Sequence, residues 1–284
     1  MKQVPKNVGQ AITLGVATVL SIVGIAGYQL SHKELVIPRP PFQQAVVVHD
    51  ARKVQIKYLG NGWYNVGDTI DEEMLDFQQL DTYFTGASIV EGDAIYKRIY
   101  GKSYPTNKAV DINNLRYLKM LYVDYDGATR CGEMIVNAKI AGVTLDIFRQ
   151  LFEAKYPIAR MELIDNFWDT DGNTTDQASM HANNASSFCY RTIAGTSEQS
   201  AHALGLAIDI NPHDNPYVWK NKDGSLKLEM LDAYEQQMLE DREHKAHAIT
   251  EADLAYQLFT KAGFDWGGNW DNPLDYQHFE WKNQ

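Results

Sequence analysis

Two apolar periods alternate along the chain, one of two residues and one close to four, and together they predict most of its elements. Val46-Val47-Val48 reads as a short strand, and residues 54–64 alternate like a strand that closes on the turn sequence Gly60-Asn61-Gly62. Between 68 and 83, Met74, Leu75, Phe77 and Leu80 fit one helical face. Residues 117–123 are rich in strand formers, and 133–136 answer them across Asp124-Tyr125-Asp126-Gly127, which predicts a hairpin. Asp124 and Asp126 lack the other ligands of a calcium loop and read as a turn. Val143, Ile147, Leu151 and Phe152 form one stripe, so 143–155 reads as a helix. Residues 161–164 and 188–193 are strand-like, and the polar stretch 169–185 reads as a surface loop lining a cleft. A long helix is expected over 226–246, on the apolar surface of Leu228, Met230, Leu231, Tyr234, Met238 and Leu239. Another starts at Thr250, with Asp253 three residues on, and ends at Gly263. Short strands follow, the last carrying His278. Strands and helices mix without a βαβ rhythm, which predicts an α+β fold with a small antiparallel sheet and flanking helices.

The N-terminus follows a different pattern. Lys2 and Lys6 precede an uncharged run over 7–31, apolar at its centre from 11 to 28. About 20 apolar residues can span a bilayer, whereas the core of a secretory signal has about 7–15. The run reads as an anchor that leaves the remainder outside the cell. A secreted protein results if cleavage occurs near Gly24-Ile25-Ala26. Ile37-Pro38-Arg39-Pro40-Pro41-Phe42 reads as an extended tether. The expected organisation is thus a membrane anchor or signal over 1–30, a tether and N-terminal extension over 31–82, and a domain over 83–284. The formal net charge of −11 argues against nucleic acid as a partner. Cys131 and Cys189 could form one bridge or stand as two buried thiols.

The chemistry concentrates in residues 200–212, Ser-Ala-His-Ala-Leu-Gly-Leu-Ala-Ile-Asp-Ile-Asn-Pro. A hydrolytic zinc site usually has three protein ligands and one open position. His202, Asp209 and the distant His278 supply such a set. Gly205 lets the backbone turn from the loop of His202 into a strand. On that strand Ala207 and Asp209 share the face opposite Leu206, Ile208 and Ile210. A proton carrier is also needed. Glu280 shares the face of His278 on a regular strand, and Asp275 precedes it by three residues; spacing does not choose between them. Arg191, just upstream, could hold a substrate carboxylate or an oxyanion, or serve as an ordinary salt-bridge partner. His32, His49, His181, His213, His244 and His247 read as surface or core residues rather than ligands.

These residues resemble the zinc D,D-carboxypeptidase and L-alanyl-D-glutamate peptidase family that cuts peptidoglycan stem peptides, peptidase family M15. The pattern Ser-x-His-x-x-Gly-x-Ala-x-Asp stands here as Ser200, His202, Gly205, Ala207 and Asp209, and the later acid-x-x-His as Asp275 and His278. Gly132–Asn137, Asn183–Phe188, Tyr190-Arg191 and Trp266-Gly267-Gly268 also resemble its VanY-like carboxypeptidase and phage-endolysin branch. The resemblance spans roughly residues 83–281. It implies a D,D-peptidase-like zinc fold related to that of Hedgehog proteins, with Zn2+ held by His202, Asp209 and His278. It also implies Asp275 as the base and Arg191 as the group that polarises the scissile carbonyl. Cys189 departs from the Asn that relatives commonly have there, and the charged insert over 221–247 is a further departure. A non-catalytic binding module of the Hedgehog kind would lack a ligand or a base, and neither is missing here.

Overall fold

The computed structural model describes residues 64–193 and 196–282, and before them the backbone of β1 (Leu35–Ile37), β2 (Val46–Asp50) and β3 (Lys53–Lys57), an antiparallel sheet of their own. The segment read as an anchor and residues 38–42 of the proline-rich tether lie outside the described residues. No helix among the described residues is long and apolar enough to cross a membrane.

A second antiparallel sheet joins β4 (Thr85–Ser88), β5 (Leu115–Val123) and β6 (Thr129–Asn137), with β5 central. The predicted hairpin is the β5–β6 pair, in register from Leu115↔Asn137 to Val123↔Thr129. Asp124 makes its turn by accepting the N–H groups of Asp126 and Ala128. A third sheet has the order β7 (Ala207–Asp209), β11 (His278–Trp281), β9 (Phe264–Trp266). Beside it, β8 (Tyr217–Val218) pairs with β10 (Leu274–Asp275). The helices are α1 (Ala94–Ile99), α2 (Ala141–Glu153), α3 (Gly172–His181), α4 (Ala233–Leu239) and α5 (Leu254–Ala262). The fold is α+β.

One apolar core ties these layers together. Ile147, Phe148, Leu151 and Phe152 of α2 meet Leu118 and Met120 of β5, and the same core reaches Ile208 and Phe279 beneath the third sheet. Phe259 of α5 stacks on Phe279 with ring centroids 4.4 Å apart. Burying each such side chain contributes about 1.5–3 kcal/mol. The backs of β7 and β11 are therefore held rigidly, leaving their other face for polar groups. Residues 64–83 also pack onto this core, through Ile70, Leu75 and Leu80.

Several elements differ from expectation. Residues 172–181 form α3 instead of a loop, because Asp171 and Thr174 make a reciprocal capping box that starts a helix in a polar sequence. Residues 226–246 are not one helix. They form short turns at Leu228–Met230 and Arg242–His244 around α4. Asp232 caps α4, Asp241 takes a left-handed φ of 50°, and Met230 is 70% exposed, so the apolar residues make no continuous buried face. Residues 68–83 form two short 3-10 stretches, Glu72–Met74 and Phe77–Tyr83, with Met74 and Phe77 exposed. Residues 161–163 run irregularly into a turn at Ile164–Phe167, and 188–193 are irregular too. In these two stretches isolated bonds, such as Phe188 N–H to the Ile135 carbonyl at 3.0 Å, stand in for ladders. The helix expected from Thr250 starts at Leu254, capped by Asp253.

Candidate metal centre

His202 sits in a single 3-10 turn, Ala201–Leu204, whose first N–H groups are capped by Ser200. The turn ends on Gly205 at φ 66°. A Cβ there would stand 2.7 Å from the Asn137 nitrogen, so only glycine lets the turn lie against the end of β6. The contact is bonded on both sides. Asn137 donates its backbone N–H to the Gly205 carbonyl at 2.7 Å and its side-chain amide to the Leu204 carbonyl at 2.8 Å.

Asp209 and His278 arrive by strand register. In the β7–β11 pair they stand directly opposite, as do Ile208 and Phe279, then Ala207 and Glu280. Side chains alternate along each strand, so Asp209 and His278 share one face and the core residues Ile208 and Phe279 the other.

Three donor atoms converge. His202 Nε2 is 3.1 Å from His278 Nδ1 and 3.2 Å from an Asp209 oxygen, and His278 Nδ1 is 3.1 Å from the other Asp209 oxygen. All three side chains are buried. Ligands held about 2.0–2.1 Å from a tetrahedral zinc stand roughly 3.3–3.4 Å apart, and the observed edges are close to that. The outer hydrogen bonds point the same way. His202 Nδ1 donates to the Ser187 carbonyl at 2.6 Å, and His278 Nε2 faces Glu280 Oε2 at 3.4 Å. With those nitrogens protonated, the lone pairs of His202 Nε2 and His278 Nδ1 face each other beside a carboxylate. Two lone pairs and an anion repel unless a cation sits among them, so the donor set fits a borderline divalent ion such as zinc.

The charges agree. Burial would raise the Asp209 carboxyl, but the two imidazoles outweigh it and hold it well below the usual range. Burial would lower His278, yet hydrogen bonds to Asp209 and Glu280 push it up to about 10. Glu280 is lowered to about 2, first by its bond to His278 and also by Lys282.

This separates the two candidate proton carriers. Glu280 is committed to His278 and Lys282. Asp275 stands at the rim, with Oδ2 3.9 Å from His278 Nδ1 and Oδ1 buried without a partner among the described residues. Its carboxyl is raised, chiefly by burial. Gly267 makes room for it, because a Cβ there would meet the Asp275 carbonyl at 2.5 Å.

Arg191 is buried nearby, its Nη2 2.8 Å from Asp176 on α3. Burial would lower its pKa, but Asp176, Asp209 and Asp275 among others hold it raised. Its Nε is buried without a partner among the described residues. The ion pair anchors one edge of the guanidinium and leaves that donor available. Asp176 was missed in the sequence because α3 read as a loop; the Asp171–Thr174 cap was its one available signal. Tyr217 was missed too. It pairs with Asp275 across β8–β10 and its hydroxyl is pushed up to about 12, first by burial and then by Asp275. Cys131 and Cys189 are both free and buried. The Cys189 thiol reaches the Gly172 carbonyl at 3.6 Å, at the start of α3.

No curated protein and no solved structure matches the chain. A family model described as D-alanyl-D-alanine carboxypeptidase matches residues 194–281. That stretch contains all three convergent donors and Asp275, and over it the chain is similar to the D-alanyl-D-alanine carboxypeptidases of the M15 peptidases.

Proposed function

We propose that this protein is a zinc-dependent peptidoglycan peptidase, a D-alanyl-D-alanine carboxypeptidase that trims stem peptides outside the cell. The carrying observation is the convergence of His202 Nε2, Asp209 and His278 Nδ1 beside the buried carboxyl of Asp275, within the matched stretch. Zn2+, held by those three residues, would supply Lewis acidity and a nucleophile near neutral pH. Asp275 takes the proton of the attacking water and passes it to the amine as the C–N bond breaks. Burial keeps its carboxyl ready to exchange that proton. Arg191, braced by Asp176, donates to the carbonyl oxygen as negative charge develops there. Glu280 keeps His278 in the tautomer that presents Nδ1. Residues 1–30 anchor the protein in the membrane, or direct its secretion if they are cleaved, with the catalytic domain outside.

Digestion of purified muropeptides, with and without chelator, tests the reading. Loss of one terminal alanine in the chelator-free sample alone is expected. Cleavage between L-alanine and D-glutamate, or at a cross-bridge, would reassign the enzyme as an endopeptidase. An unchanged product pattern with chelator would remove zinc from the mechanism.

A further inference from the structure

Among the described residues, a second group of ligand-type side chains converges outside the first centre: His181, His213 and Asp232. They come from three separate places. His181 is the last residue of α3, His213 follows Asp209 by four positions, and Asp232 is the N-cap of α4 within the charged insert. His213 Nε2 is 2.9 Å from Asp232 Oδ2, and His181 Nδ1 is 3.7 Å from the same oxygen. The three donor atoms lie within 4.8 Å of one another.

Asp232 and His213 are held in place. Asp232 Oδ1 accepts the Glu235 N–H at 2.8 Å and the Asp232 N–H returns to Glu235, so the capping box fixes the carboxylate and leaves Oδ2 for the imidazoles. The His213 backbone donates to Asn183 Oδ1 at 3.0 Å, and its ring lies 4.5 Å from that of Tyr234. His181 ends a ten-residue helix, where the unpaired carbonyls favour positive charge. Zinc ligands stand roughly 3.3–3.4 Å apart, and the two edges to Asp232 bracket that spacing.

We infer that His181, His213 and Asp232 form a second site for a zinc-type divalent cation, which clamps the 221–247 insert onto α3 and the segment after β7. Two imidazoles and one carboxylate select borderline metals over calcium or magnesium. His181 is 60% exposed at its side chain, so the remaining coordination positions go to water and the site exchanges more readily than the buried one. The clamp acts on the insert and takes no part in the peptide chemistry.

The test uses the full-length chain, stripped of metal and titrated with Zn2+. The wild type is expected to bind two equivalents. His202→Ala should keep one, and adding His213→Ala to it should weaken that remaining binding at least tenfold. Zinc should slow proteolysis within the insert of His202→Ala and leave the double variant unchanged. His181→Gln, which alters only an exposed side chain, repeats the measurement if His213→Ala folds poorly. A His202→Ala protein that binds no zinc overturns the inference, as does one whose zinc binding survives both second substitutions. A wild type with a single equivalent that persists in His202→Ala and is lost in His213→Ala upholds this site while refuting the first.

Discussion

Asp209 and His278 face each other across one rung of an antiparallel pair, with Oδ1 3.1 Å from Nδ1. A two-strand register thus sets two of the three donors, and slipping one strand by a single residue would turn its donor into the core. Glu280 occupies the next same-face position on that strand and bonds the outer nitrogen of His278.

Glu280 and Asp275 should therefore separate by assay. Glu280→Gln is expected to weaken zinc binding by about 10–100-fold, with activity recovered in excess zinc. Asp275→Ala should retain zinc and lose about 10²–10⁴ in kcat. Metal content and turnover measured on both variants check this; near-normal turnover in Asp275→Ala would pass the role to Glu280.

The Arg191–Asp176 pair is almost wholly buried, with side chains 12% and 9% exposed. Removing one partner leaves an unpaired buried charge, and Asp176→Ala should cost about 3–5 kcal/mol of stability. Arg191→Ala in the same chain should restore part of it. A double-mutant cycle by denaturant unfolding measures the coupling, and strictly additive losses would mean that the two charges are independent.

Gly205→Ala carries both left-handed strain and a contact of 2.7 Å with the Asn137 nitrogen. Strain of this kind costs about 1–3 kcal/mol, and relief would move the turn that bears His202. The expected result is lower stability together with weaker zinc binding. A thermal melt paired with zinc titration tests it, and a destabilised protein with unchanged zinc affinity would uncouple the turn from the site.

Asp165 offers a pH test away from the metal centre. It accepts the Ser103 N–H at 3.1 Å and the Ser103 hydroxyl at 2.8 Å, and its carboxyl is raised, chiefly by burial. The folded state thus holds a proton that the unfolded chain releases first. Ionisation of Asp165 opposes folding, and its contribution falls as pH rises from the unfolded pKa through the folded one. In Asp165→Asn a neutral amide still accepts the Ser103 N–H through its oxygen and donates to the Ser103 hydroxyl oxygen through its nitrogen, so its stability relative to wild type should rise across that window and then level off. Denaturant titrations at stepped pH follow the difference, and a flat difference would refute the assignment.

The three convergent donors were legible in the sequence because their cues are local: a glycine-ended turn, a period-two strand, and an acid three residues before a histidine. Asp176 and Tyr217 were not. Asp176 matters only because α3 carries it to Arg191, and Gly172-Asn173-Thr174-Thr175 gives little helical signal beyond its cap. His181, His213 and Asp232 are separated by 32 and 19 positions, so no local spacing announces them. The insert misled for the opposite reason. Its apolar residues suit one helix, but Asp232 and Asp241 interrupt it.

The turn of His202 rests on Asn137, and its ring bonds the Ser187 carbonyl. Arg191 is braced by Asp176. Every one of these supports precedes the stretch that the family model matches, residues 194–281. Cutting the protein back to that stretch would thus keep the three donors and Asp275 but lose Arg191, and with it the carbonyl, the amide and the carboxylate that hold the surroundings in place.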